Sequence, residues 1–270
     1  MIAAGEAGGI LDTILKRLAV YIEKAVKLSS QVKSAMIYPV AVIVIAAGVV
    51  AVILWKVIPT FAALFAGLNA ELPLPTRVVI WMSNSFVRFL PFIVIGLVGL
   101  VVGFRQYYAT NNGRRVVDRL LLRAPILGMI LRKIAVARFC RTLATLISSG
   151  VPILDGLLIT SKTAGNAIVE DAIAKTRKSI ERGETVSAPL KETGVFPPMV
   201  TQMIAVGEAT GALDTMLAKI ADFYEEEVDV AVAGLLTLLE PLMIAILGVV
   251  VGGIVIAMYM PIFGLISKLT

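Results

Sequence analysis

Residues 203–217 read MIAVGEATGALDTML, and residues 1–15 read MIAAGEAGGILDTIL. Eleven of the fifteen positions are identical at a constant offset of 202. The same offset carries Pro39 onto Pro241, Pro59 onto Pro261 and Phe61 onto Phe263. Self-similarity at a fixed offset marks one structural unit used twice. Each copy predicts a helix, Asp12–Ser34 or Asp214–Leu239, that leads through a proline into an apolar helix. The second copy has 138–202 ahead of its motif and the first has no counterpart. The expectation is therefore that this chain lacks most of its first domain.

The apolar stretches next to the repeat set the fold class. A spanning helix needs about 20 mainly apolar residues to cross about 30 Å of hydrocarbon. Ala35–Trp55 is one such run, closed by Lys56. Phe89–Phe104 is a second, between Arg88 and Arg105, and Pro241–Ser267 is a third, between Glu240 and Lys268. None has a charge in its middle. Across 270 residues, 58% are hydrophobic and 16% charged, with a mean hydropathy of +0.91. A soluble globular chain has roughly 45–50% apolar and about 25% charged residues. The composition excludes an ordinary soluble enzyme and a disordered tail. The predicted fold is an all-α membrane protein with three transmembrane helices, cytoplasmic helical-bundle domains and an internal repeat.

The basic residues predict the orientation. Residues 1–36 carry five Lys or Arg and 105–141 carry nine, while 57–87 carry only Arg77. The N-terminus and the 106–240 segment are thus expected on the cytoplasmic side. Within that segment the chain reads as about six helices. Gly128 opens a stretch to Ser149, with Gly150 as the residue that ends it. Pro152 is placed in the next first turn and Asn166 as an N-cap. Val169, Ile173, Thr176 and Ile180 fall on one face.

Several chemistries are excluded by residue type. The chain has no histidine and one cysteine, Cys140. Ser-His-Asp and Cys-His pairs are therefore impossible, as are the usual zinc and haem sites. Cys140 reads as a small core residue. No G-x-x-x-x-G-K-[ST] occurs, and no ionisable residue lies mid-span. No catalytic residue, metal site or cofactor is expected. Nucleic acid is not expected either, because the basic residues lack interleaved aromatic stacking groups.

What remains are the two G-E-x-x-G-x-L-D motifs. Gly207 and Gly211 permit a tight helix–helix turn, and Asp214, early in a helix, suits its macrodipole. Glu6 and Glu208 are less fully explained and read as contacts for a partner. Glu225, Glu226 and Glu227 form an acidic run that is either a solvated face or a docking surface. Nine basic residues against one acid in 105–141, and seven against fourteen in 142–240, leave two oppositely charged parts. The basic part lies beside the membrane, where anionic lipid is a natural partner. Gly99-x-x-x-Gly103 and Gly248-x-x-x-Gly252 suit close helix packing. The partner-binding candidates are thus Glu6, Glu208, Gly211, Asp214, Glu225, Glu226 and Glu227. The structural candidates are Pro39, Gly150, Pro152, Gly207, Pro241 and Pro261.

These residues together resemble the inner-membrane platform proteins of type IV pili and type II secretion, the type II secretion system F family. The resemblance is carried by RFCRTLATLISSGVP at 138–152, by both G-E-x-x-G-x-L-D motifs, and by Gln31-Val32-x-x-Ala35-Met36-x-Tyr38-Pro39 leading to Val57-Ile58-Pro59. Ala257–Phe263 is similar to the pilus branch. The resemblance implies a non-enzymatic platform that couples a cytoplasmic assembly and retraction ATPase to pilin insertion and extraction. It implies pilin subunits, inner-membrane alignment proteins, the lipid bilayer and a second copy of the chain, as a dimer or higher homo-oligomer, as partners. The alternatives are a secretion-system F platform and a small transporter or channel subunit. The expected division is 1–34 as the end of a first cytoplasmic repeat, 35–58 as span 1 and 59–85 as a periplasmic loop. Span 2 follows at 86–105, a second cytoplasmic six-helix domain at 106–240, span 3 at 241–262 and a periplasmic tail at 263–270.

Overall fold

The computed structural model describes residue 34 and residues 36–67 and 73–269. Glu6 and the first copy of the motif lie outside them. Among the described residues every regular element is a helix. Helix α1 covers 36–67, with one π-turn at Ile53–Val57 before it resumes over Ile58–Gly67. Then follow α2 (Leu74–Ala109), α3 (Asn111–Arg123), α4 (Leu127–Ser148), α5 (Ile153–Thr163), α6 (Ala167–Ile180), α7 (Ser187–Glu192), α8 (Pro198–Thr210) and α9 (Leu213–Leu269). They form two compact units. One consists of Tyr107–Leu235, the other of 36–106 with 236–269.

Three helices are long and apolar enough to cross a membrane: Met36–Phe65, Leu74–Ala109 and Leu213–Phe263. All three extend beyond the runs read from the sequence. The stretch 59–85, expected as a loop, is helical over 59–67 and from Leu74 onward. Pro75 falls in the first turn of α2, where its missing N–H costs nothing. No Gly or Pro interrupts 76–90. The expected junction at Pro241 is likewise no break, because α9 runs through both Pro241 and Pro261 for 57 residues, about 85 Å of helix. Pro39 is buried near the start of α1.

The unit Tyr107–Leu235 follows the sequence more closely. Phe139, Leu143, Leu157, Ile173, Leu190, Ile204, Leu217 and Ile220 share one core, and the Phe139 and Phe196 rings lie 4.9 Å apart. Cys140 is fully buried in this core, and burial pushes its thiol far up. Val169, Ile173 and Thr176 are buried along one face of α6, with Ile180 packed at its edge. Gly150 ends α4 at φ 77°. Its N–H donates to Ile147 O at 2.8 Å, and Val151 N–H donates to Leu146 O at 3.0 Å. These two bonds satisfy carbonyls that a helix end leaves open. Pro152 stands one residue earlier than expected, as the N-cap of α5. Seven helices begin within 106–240 rather than six. The additional one is α3, whose five charged residues alternate with five Val or Leu and whose buried residues are Gly113 and Asp118.

In the membrane unit, Leu54, Ile58 and Ile254 are buried together, with Val79, Ile80 and Met258 against them. Two prolines one repeat apart each unpair a carbonyl here. Pro261 has no N–H for Ala257 O, its partner four residues back. In the π-turn Ile58 N–H bonds to Ile53 O. The next carbonyl in that register, Leu54 O, would meet Pro59, which again has no N–H. Thr76 Oγ1 donates to Ala257 O, and Ser83 Oγ donates to Leu54 O. Both hydroxyls are buried and sit seven residues apart on one face of α2. Hydrocarbon offers no water to an open carbonyl, so side-chain hydroxyls are what let prolines stand inside spans. Thr76→Val and Ser83→Ala should each cost about 1 kcal/mol of stability, measured by unfolding the purified protein in detergent. Thr76→Ser should retain wild-type stability.

Candidate functional site

The repeated motif occupies the turn between α8 and α9. Gly207 is buried, and a Cβ there would stand 3.0 Å from Leu213 Cα and from Met216 Cβ. Only glycine lets α9 approach α8 this closely. Gly211 ends α8 at φ 73°, a left-handed conformation that other residues resist. Asp214 lies in the first turn of α9, near the open N–H groups and positive end of the helix. Leu213 packs against the core.

Glu208 is not a free side chain. Its Oε1 accepts Val186 N–H at 2.8 Å, and its Oε2 accepts Ser187 N–H and Ser187 Oγ, both at 3.5 Å. These groups form the N-terminal end of α7, which has no side-chain cap of its own. Glu208 thus caps a neighbouring helix and ties α7 to α8. A second carboxylate acts in the same way. Asp118 on α3 is buried and accepts Ala167 N–H at 2.6 Å, at the start of α6, and Tyr108 Oη–H at 3.0 Å. Asn166 caps the same helix end, accepting Ile168 N–H and Val169 N–H. The sequence gives the Asn166 cap, because it is local. Nothing marks Asp118, 49 residues from Ala167, or Glu208, 22 residues from Val186.

The acidic run on α9 is largely consumed within the chain. Arg141 on α4 forks onto Glu225, with Nε to Oε1 and Nη2 to Oε2 both at 2.8 Å, and also meets Asp222. Burial alone would lower Arg141, but the hydrogen bonds and charges of Glu225 and Asp222 hold it raised. Lys133 Nζ pairs with Glu227 Oε2 at 2.7 Å. Glu226 faces outward and is exposed. Glu208 and the run therefore serve different neighbours, α7 and α4. The nine basic residues read as a membrane-side patch include two, Lys133 and Arg141, that hold α9 to α4. Among the described residues no group of three His, Cys, Asp or Glu is arranged for a metal.

The profile of "Type II secretion system (T2SS), protein F" matches residues 1–59 and 139–261. The chain belongs to this family. The two matched stretches contain the two copies of the motif, and they exclude α2 and α3 entirely. A type IV pilus assembly protein PilC of Myxococcus xanthus is 54% identical over 97% of this chain and 63% of its own length. The PilC of Thermus thermophilus is 49% identical over 100% of this chain and 67% of its own length. A type II secretion system protein F of Pseudomonas aeruginosa is 34% identical over 98% of this chain and 65% of its own length. The chain thus spans about two thirds of the length of these relatives. With three apolar helices and this family, it is a multi-pass inner-membrane protein.

Glu208→Ala should destabilise the purified protein by about 1 kcal/mol, the usual worth of an N-cap, with Glu208→Gln intermediate. Thermal unfolding followed by circular dichroism reads both. Wild-type stability in Glu208→Ala would remove the capping role.

Proposed function

We propose that the protein is a non-enzymatic platform of the type IV pilus assembly machine. It couples a cytoplasmic assembly and retraction ATPase to the insertion and extraction of pilin. The observation that carries this reading is that α9 belongs to both units. Its first turns supply Leu217, Ile220, Ala221 and Tyr224 to the bundle core, and its remainder is a membrane span. A helix built this way passes displacement from bundle to membrane without any chemistry. Higher identity to the pilus assembly relatives than to the secretion relative favours the pilus branch.

The bundle faces the cytoplasm in this reading, with the chain before α1 on the same side and the α1–α2 connection in the periplasm. The basic excess in 105–141 supports that orientation. Of the acidic candidates, Glu226 is the one offered to the ATPase. Glu225 and Glu227 hold the helix that presents it, while Glu208, Gly211 and Asp214 shape the turn below it. Pilin, the alignment proteins and a second copy of the chain meet the membrane unit.

The tagged protein should capture the assembly ATPase from its host. Glu226→Lys should reduce that capture several-fold without changing the membrane level, because charge reversal opposes a complementary partner. In a Cys140→Ala background, Leu74→Cys should react with an impermeant thiol reagent added outside, and Lys175→Cys should not. ATPase capture unaffected by Glu226→Lys would move the docking surface elsewhere. Labelling of Lys175→Cys alone would overturn the orientation and the function with it.

A further inference from the structure

Helix α3 is turned inside out for a soluble bundle. The side it gives to α6 is polar: Asp118 reaches the α6 N-terminus, Arg114 pairs with Glu170 at 3.3 Å, and Arg115 pairs with Asp171 at 3.0 Å. The side it gives to the outside carries Val116, 55% exposed, and Leu120, 70% exposed. Burying an apolar face is the usual reason for an amphipathic helix to dock. Here the face docked on α6 is the charged one, and Val116 and Leu120 are left outside while Val117 and Leu122 are half-buried.

The turn that follows continues the same surface. Leu127 and Met129, in the first turn of α4, are half or more exposed. Between the helices, Leu127 N–H donates to Pro125 O at 2.6 Å, closing a γ-turn around Ile126 at φ 63° and ψ −65°. A β-branched residue is costly in that region. The turn nevertheless holds Ile126 outward, 53% exposed. Arg119, Arg123 and Arg132 are exposed around these side chains and make no ion pair among the described residues.

The chain itself says what lies close by. The uncharged part of α2 ends at Phe104, and Asn111 opens α3 seven residues later, about 10 Å along a helix. We propose that the outer face of α3 and the Ile126 turn form an interfacial anchor. Val116, Leu120, Ile126 and Met129 enter the boundary between headgroups and acyl chains of the inner leaflet, and Arg119, Arg123 and Arg132 bind anionic headgroups. Apolar side chains flanked by arginines, one short step from a span, are the features of a helix that lies in a membrane surface. This anchor rests on the membrane span and not on the pilus reading.

The test uses the full chain with Cys140→Ala, reconstituted in vesicles of phosphatidylcholine with a minority of phosphatidylglycerol and with brominated acyl chains. An environment-sensitive fluorophore is placed at Leu120→Cys, Met129→Cys or, as the control, Lys175→Cys. Quenching by the brominated lipid should be several-fold stronger at the first two positions than at Lys175→Cys. It should fall several-fold in phosphatidylcholine alone and in the Arg119→Glu, Arg123→Glu pair, whose unfolding midpoint should stay at the wild-type value. Equal quenching at all three positions would overturn the anchor. So would disulfide-linked Leu120→Cys dimers without lipid quenching, which would assign the face to a second copy of this chain. Quenching that ignores both the anionic lipid and the arginines would overturn the headgroup recognition.

Discussion

The backbone ladder of α9 is the constraint on which the rest depends. Its N–H and C=O groups must be paired along the whole length that lies in hydrocarbon, where an open group costs several kcal/mol. The first turns of the same helix must also fill the core of the helical bundle. Tyr224 and Val228 are buried there, while Val249 and Ile256 are exposed further along. One helix thus serves both units. The prolines fit that constraint because α2 supplies a hydroxyl to Ala257 O, opened by Pro261, and another to Leu54 O beside Pro59. The repeat accounts for the two prolines, Pro59 and Pro261, while both hydroxyls come from α2.

At its other end α9 is held by the motif and by ion pairs. Gly207 allows backbone approach, Gly211 turns the chain, and Arg141 and Lys133 join α4 to the acidic run. The carboxylates of Glu208 and Asp118 cap helices that are distant in sequence. A bundle of short helices has many open termini relative to its core, so capping between helices is a natural way to fix their order. In the second copy the motif sets the geometry of the turn between α8 and α9.

The periodic and local features were legible in the sequence. Gly150, Asn166 and the Val169–Ile173–Thr176 face stand as their spacing indicates, because helix caps and apolar stripes depend on neighbours within one or two turns. Cys140 in the core follows from its small apolar character. What the sequence hid was contact at long range. Glu208 reads as a surface residue until Val186 is beside it, and Glu225 reads as a docking charge until Arg141 is opposite it. The ends of the spans were hidden for another reason. Charge marks where a helix leaves hydrocarbon, not where it stops, so α2 and α9 run well past their apolar segments. Helix α3 was hidden because the face it gives to α6 is charged.

The central claim is that α9 transmits displacement because it is one helix shared by both units. The most direct measurement is piliation in a strain whose only change is a Gly-Ser-Gly-Ser insert after Thr237, between the bundle and the span. The expected result is a protein that reaches the membrane at its normal level, keeps its bundle folded and captures the ATPase, in cells that carry no pili. Normal piliation with this flexible break in α9 would contradict the account.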